Sequence, residues 1–411
     1  MPDHHLTYPP AHGAALATPS GGKAVGFPGM LLLLFAIGPT SFQIFLPSLP
    51  AIARGFAVAP GVAQLALSLS MLGMAAATLA YGRLADRFGR RPVLLAGMAL
   101  LVAGSLACMA APSIELLIAG RVVQAAGGAA GMVVGRAIVL DVHGPERSAR
   151  VLAGLLAAMM IAPVLATPVG GFLNDQIGWR ANFAVLAMLG SGLLAALWWR
   201  LPETGRDHDP SAPVHLLADY AELLRSRAFA GFALQGACAM AAFMAFTTGA
   251  PYVLTETKGL SATAVGLWFT AVSAGFAGGS LLASRLPDGV PLGLRARAGS
   301  LLALAAAVAA LLLTWGSGWS TAALVGPVAL LAFATGITMP ASQAGAMAAV
   351  PKLSGTASGL SGFAGTLLAA GATQAVGALS DGTPHAVTIA MVALSAVALG
   401  AATVACRAAR G

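Results

Sequence analysis

The chain has 411 residues, of which 22 are Lys or Arg and 14 Asp or Glu, so only 9% are charged against 58% hydrophobic, and its mean hydropathy is +0.84. A soluble chain carries about 25% charged residues to keep its surface hydrated, so soluble, fibrous and intrinsically disordered classes are excluded and lipid is the expected solvent. The net charge of +8 comes from basic residues that punctuate apolar runs instead of covering one solvated face, which excludes a nucleic-acid partner.

The first 27 residues are rich in Pro, His and Gly, lack the pattern of a cleaved signal, and read as a disordered cytoplasmic tail. Apolar runs follow near 28–52, 62–81, 92–111, 115–139, 150–172 and 181–200, then near 228–249, 262–283, 298–316, 321–345, 355–378 and 385–406. Each is close to the roughly 20 residues that cross a bilayer. Without strict alternation, in a solvent that offers no hydrogen-bond partners, they are predicted to be helices. The polar stretch 201–227 separates two halves of nearly equal length, 28–200 and 228–406, which suggests an internal duplication; 407–411 is a short tail. With the N-terminus inside, Arg83, Arg87, Arg90, Arg91, Arg147, Arg150, Arg295, Arg297 and Lys352 fall on the cytoplasmic side, while the outer loops keep Arg54, Arg180 and Lys258. This bias predicts both termini in the cytoplasm of a multi-pass inner-membrane protein.

Span one ends in Gln43-Ile44-Phe45-Leu46-Pro47-Ser48-Leu49-Pro50. Between spans two and three the sequence reads Gly82-Arg83-Leu84-Ala85-Asp86-Arg87-Phe88-Gly89-Arg90-Arg91, with Gly82 suited to close helix approach, Gly89 to a tight turn and the arginines to an anionic leaflet. Span four holds Arg121 and Gln124 three apart on one face, while Gly127, Gly131 and Gly135 line another and read as packing. Arg121 and Arg136 both lie inside that span, where an arginine costs roughly 2.5 kcal/mol or more unless it finds water or a partner. Arg121 has two readings, a functional charge or a side chain that snorkels to the outer headgroups. Asp141 closes the span and is expected to pair with Arg87 or Arg90 as an inner latch. Span five carries Pro163, Thr167, Pro168, Gly170 and Gly171; its prolines remove backbone donors and should bend the helix beside a cavity.

The loop at 82–91 resembles the signature of the major facilitator superfamily. Arg121 to Gly131 and Ala162 to Gly171 are similar to two further motifs of that family, with Thr167 where a proline is usual. The Leu-Pro-x-Leu-Pro ending of span one, Arg136 to Asp141, and Gly249-Ala250-Pro251-Tyr252 resemble the bicyclomycin/chloramphenicol-resistance (Bcr/CflA) group of drug:proton antiporters. The resemblance implies an all-α membrane protein of twelve transmembrane helices in two pseudo-symmetric six-helix bundles, exporting small amphipathic solutes by alternating access, without cofactor or metal, as a monomer. It also implies a bridge from Asp86 to the start of span eleven at Ser354-Gly355-Thr356, an anion at a helix N-terminus worth about 1 kcal/mol.

One departure bears on mechanism. Where the group usually carries an aspartate this chain has Gln43, which cannot carry a proton. Glu115 and Asp175 fall at outer edges, Asp86 and Asp141 at the inner edge, and no His lies inside a span. Coupling to protons then uses an edge carboxylate, or the protein is an uncoupled facilitator. Gln43 itself reads either as a helix–helix hydrogen bond or as a polar group at the cavity base. The expected cavity residues are Gln43, Phe45, Arg121, Gln124 and Met160 with Phe243, Phe246, Trp268 and Phe363, which suit neutral, zwitterionic or anionic substrates. A membrane enzyme would need convergent His, Asp or Cys, yet the histidines are scattered over tails, loops and edges and Cys108, Cys238 and Cys406 lie far apart. A receptor or scaffold of the same fold is the other alternative.

Overall fold

The computed structural model describes residues 27–159, 161–204, 216–287, 290–316 and 318–408, and these form helices with no strand among them. The expected N-terminal tail, Met160 and residues 409–411 lie outside the described residues. The first half contains α1 (Phe27–Gln43), α2 (Leu49–Gly55), α3 (Pro60–Phe88), α4 (Arg90–Ala110), α5 (Ile114–Met159), α6 (Ile161–Gln176) and α7 (Arg180–Arg200). A short α8 (Leu216–Arg225) leads into the second half: α9 (Arg227–Tyr252), α10 (Ala262–Arg285), α11 (Leu292–Thr314), α12 (Thr321–Ala349), α13 (Ser354–Ala378) and α14 (His385–Ala408). Ten helices among the described residues are long and apolar enough to cross a membrane. The remaining two crossings are α6 with the end of α5, and α13, whose first turns are rich in Ser, Gly and Thr.

Local chemistry explains three departures from the sequence expectations. First, span one is not one helix. Pro47 lacks an N–H and its ring would collide with the carbonyl four residues back, that of Gln43. The helix stops there, passes through a 3-10 turn at Leu46–Ser48, and resumes as α2. Second, the segment 82–91 is almost wholly helical: α3 runs to Phe88, α4 begins at Arg90, and Gly89 alone makes the turn, at φ +92°. Only glycine adopts that angle without strain. Third, residues 140–149, expected as a loop, continue α5, and the polar connection 201–227 contains α8, whose Leu223 is fully buried beside Phe229 and Ala357.

Packing repeats between the halves. In the first, α5 lies against α1, α3 and α4, and α7 against α4; in the second, α12 lies against α9, α10 and α11, and α14 against α9 and α11. Two seams join the halves, α6 on α10 and α3 on α13. The buried core shows how they meet. One cluster runs across both halves, from Ile44, Phe45, Leu49 and Phe183 to Phe246, Tyr252, Phe269 and Val325. Two others each stay within a half, around Tyr81, Leu94, Val139 and Leu197, and around Leu223, Phe229, Ala346 and Ala405. The halves thus share a core at one end and part at the end that carries Gly89 and its arginines, here termed the basic end.

Candidate functional site

The break in α1 builds the centre of the first half. Arg121 of α5 is fully buried against it. Its Nη1 donates to the Ser41 carbonyl at 3.1 Å and to Oε1 of Gln124. Gln124 Nε2 donates in turn to the Ser105 hydroxyl at 2.7 Å. The guanidinium carbon lies 4.6 Å from the Phe45 ring centroid and 5.3 Å from that of Phe42. Desolvated cation–π contacts of this kind contribute about 2 kcal/mol. Nε and Nη2 of Arg121 have no partner, and none of the ion pairs among the described residues includes it. Its charge is held by carbonyl and amide dipoles and by ring faces, so it does not snorkel.

The other expected cavity residues divide. Phe45, Gln124 and Phe246 are sealed by packing; Phe45 sits 5.7 Å from Phe183, and Phe246 stacks on Phe269 at 5.4 Å. Phe243 is nearly buried beside Phe276. Gln43 and Trp268 are half-buried and Phe363 is exposed. The Gln43 side chain makes no hydrogen bond among the described residues. Met160 lies outside the described residues.

At the basic end Arg90 is the hub. Its guanidinium bonds Asp86 and, at 3.2 Å, Asp141, so of the two expected partners of Asp141 it is Arg90 that pairs. Glu203 closes the site from beyond α7: its carboxylate accepts from the backbone N–H of Arg90 at 2.8 Å and of Arg91 at 3.2 Å, capping an α4 that has no side-chain cap of its own. A Cβ at Gly89 would lie 2.6 Å from that carboxylate, a second reason for glycine there. Arg91 donates to the Trp198 carbonyl at 2.6 Å, whereas Arg87 lies over its neighbour Phe88 and Arg136, within the apolar span Ile114–His143, is exposed on its helix. Among the described residues no bond joins Asp86 to α13, and the side chain of Ser354 lies outside them. A Cβ built at Gly82 or Gly355 meets nothing within 4 Å, so Gly82 packs against no helix in this conformation, because the halves stand apart at this end.

The opposite end is closed by direct bonds between the halves. Asp175, in the last turn of α6, accepts from the backbone N–H of Ala262 at 3.2 Å and of Thr263 at 2.7 Å, and from the Thr263 hydroxyl at 2.6 Å. These are the first residues of α10, so the carboxylate sits on a helix N-terminus across the seam. On the other seam Gln374 of α13 donates to the Gly61 carbonyl at 3.0 Å, and beside it Gln64 of α3 donates to the Thr248 carbonyl of α9 at 3.2 Å. The Tyr252 hydroxyl donates to the Leu49 carbonyl at 3.3 Å. Three of the residues expected only to bend span five, Thr167, Pro168 and Gly171, lie on the seam between α6 and α10. A side chain at Gly171 would overlap the Ala262 carbonyl of the other half, and one at Gly170 would overlap the Ile44 carbonyl freed by the break in α1. Pro168 backs onto Gly266, and Thr167 is buried beside it, while Pro163 lies in the first turn of α6. Sequence reading missed Glu203 as a cap and Gln64, Gln374 and Tyr252 as seam residues. Each pairs with a residue far away in the chain, and only Glu203, just past a span, carried a local signal.

Two helical bundles fused at one end and open at the other are the architecture of an alternating-access membrane transporter. Residues 31–373 match the Major Facilitator Superfamily, and the chain belongs to that family. It is similar to multidrug resistance protein D of Escherichia coli, 29% identical over 81% of this chain and 84% of that protein. It is also similar to an uncharacterized transporter of Rickettsia felis, 30% identical over 62% of this chain, a match that spans 64% of the relative's length. Multidrug resistance protein MdtL of Shigella flexneri is 32% identical over 56% of this chain and 57% of that one. Among solved structures, a bacterial homologue of the human lysosomal transporter Spinster, inward-facing and unoccupied, superposes with a TM-score of 0.77 at 16% identity over 95% of this chain and 98% of that one. The Escherichia coli xylose transporter XylE superposes at 0.71 with 13% identity over 92% and 94%. The protein is a multi-pass transporter embedded in the membrane, with a small-molecule substrate.

Proposed function

We propose that the protein exports small amphipathic solutes, drugs among them, across the cytoplasmic membrane in exchange for protons, as a member of the Bcr/CflA group and as a monomer. Residues 28–200 and 228–406 rock as two bodies joined by 201–227, with both termini in the cytoplasm. The observation that carries this reading is the asymmetry of the seams: polar bonds close one end while the basic end is open, as an inward-facing carrier requires before it loads a cytoplasmic substrate. The relatives named for multidrug resistance support the substrate class.

Gln43, Phe45, Arg121, Gln124, Met160, Phe243, Phe246, Trp268 and Phe363 form the substrate path in this proposal, with Gln43 offering its amide at the break of α1. Gly82, Asp86, Arg87, Gly89, Arg90, Arg91, Arg136 and Asp141 form the inner gate. The buried cation of Arg121, without a carboxylate partner among the described residues, favours neutral, zwitterionic or anionic solutes over lipophilic dications. Proton exchange runs through an edge carboxylate, since Gln43 does not titrate. The test is efflux from proteoliposomes with and without a pH gradient, using a phenicol, a sulfonamide, an amino-acid-like solute and a dicationic dye. Transport of the dye alone would overturn the substrate preference. Flux indifferent to the gradient would make the protein an uncoupled facilitator, and binding without flux a receptor.

A further inference from the structure

Each half carries buried polar links between its helices, and the two sets are completed differently. In the first half Arg121 and Gln124 of α5 reach the Ser41 carbonyl of α1 and the Ser105 hydroxyl of α4 directly. In the second half Gln235 of α9 makes the link: its Nε2 donates to the Ser300 hydroxyl of α11 at 3.1 Å, and its Oε1 pairs with the Ser342 hydroxyl of α12. Ser342 also lies 2.9 Å from the Phe232 carbonyl. What remains is a hydroxyl on the fourth helix of this half, Ser395 of α14.

Between α9, α11, α12 and α14 lies a cavity of about 10 Å3, lined by Ser300, Thr335, Thr338 and Ser395 together with Leu331 and alanines. None of the four hydroxyl residues is more than 2% exposed. Thr335 Oγ1 donates to the Leu331 carbonyl at 2.9 Å, and Thr338 Oγ1 to the Thr335 carbonyl at 3.2 Å. Each threonine has therefore committed its hydrogen to its own helix and has only lone pairs left to offer. Ser300 accepts from Gln235, and its own hydrogen has no acceptor among the described residues. The Ser395 oxygen is buried with no partner among them. The wall thus holds two acceptors and two hydroxyl hydrogens without an acceptor.

Two donors and two acceptors around so small a space are the complement of one water, which has two lone pairs and two hydrogens. The volume also fits, since one water needs a cavity on the order of 10–15 Å3 and two to four polar partners. An ion fits worse: the lining holds no charged side chain to replace its hydration. We infer that this cavity binds a single structural water, which donates to Thr335 and Thr338 and accepts from Ser300 and Ser395. Without it the Ser395 hydroxyl bears the full cost of a buried, unpaired polar group. With it α14 gains a polar tie to α11 and α12, of the kind that the first half makes with its own side chains.

Crystals of the full-length protein, at a resolution that shows ordered water and with one set soaked in a thallium salt, test the occupant directly. Density should stand in the cavity within hydrogen-bond distance of the four oxygens, with no anomalous signal from thallium. Stability in detergent gives an independent readout. With water bound, Ser395→Ala loses a hydrogen bond and should lower the melting temperature by about 2–4 °C. In a dry cavity the same change removes an unpaired hydroxyl and leaves the melting temperature equal or higher. Thr335→Val keeps the shape of the side chain while removing an acceptor, so it should act in the same direction as Ser395→Ala. An empty cavity, a thallium peak in it, or a melting temperature unchanged or raised in both variants would each overturn the inference.

Discussion

The bond network on Asp175 predicts how far one carboxylate holds shut the end opposite the basic one, the outer end in the proposed orientation. Asp175→Ala removes the acceptor of three hydrogen bonds that cross from α6 to the first turn of α10. Bonds to a charged group contribute about 1.5–3 kcal/mol each when buried, but Asp175 is exposed and water takes over part of the released amides. The discounted sum is about 1–2 kcal/mol, or about a 5- to 30-fold shift between closed and open outer ends. The measurement is a distance distribution between spin labels at Ala59 and Asp381, exposed positions on opposite halves at that end, in a background free of Cys108, Cys238 and Cys406. The variant should enlarge the long-distance population by that factor, and Asp175→Asn, which keeps one acceptor oxygen, by less. An Asp175→Ala distribution identical to the parent would refute the reasoning and leave the apolar seams as the whole closure.

Gly171→Leu places a side chain on the Ala262 carbonyl of the other half. It should prop the outer end open in the same spin-label measurement while each half stays folded. Gly170→Ala collides instead with Ile44 of its own half, so it should cost about 1–3 kcal/mol of stability, read as a lower melting temperature in detergent. Gln43→Asp restores a titratable group at the break in α1 and should steepen the pH dependence of efflux; an unchanged pH profile would remove span one as the coupling site. Asp86→Asn leaves Arg90 one charged partner fewer at the basic end, so turnover should stall while substrate affinity, measured by equilibrium binding, stays close to that of the parent.

Composition decided the solvent, and periodicity decided that the spans are helices, because lipid leaves a backbone no other way to satisfy its hydrogen bonds. The arginines of 82–91, Gly89 in its left-handed turn, and Gly127 and Gly131 packed on neighbouring helices were all legible as local patterns. The stop of α1 was legible too, in Pro47, once its clash with the carbonyl of Gln43 is considered. The polar residues of 140–149 misled because a helix that projects beyond the bilayer needs no apolar surface, so hydropathy falls where helicity does not.

What the tertiary structure alone decided is which residues meet across the chain. No spacing rule links Asp175 to Thr263, Glu203 to Arg90, or Gln374 to Gly61, since these contacts depend on how whole helices and whole halves sit against one another. The same holds for Arg121. The sequence determined that a charge would stand within a span; only the fold determined that, among the described residues, carbonyls and rings and no carboxylate contact it.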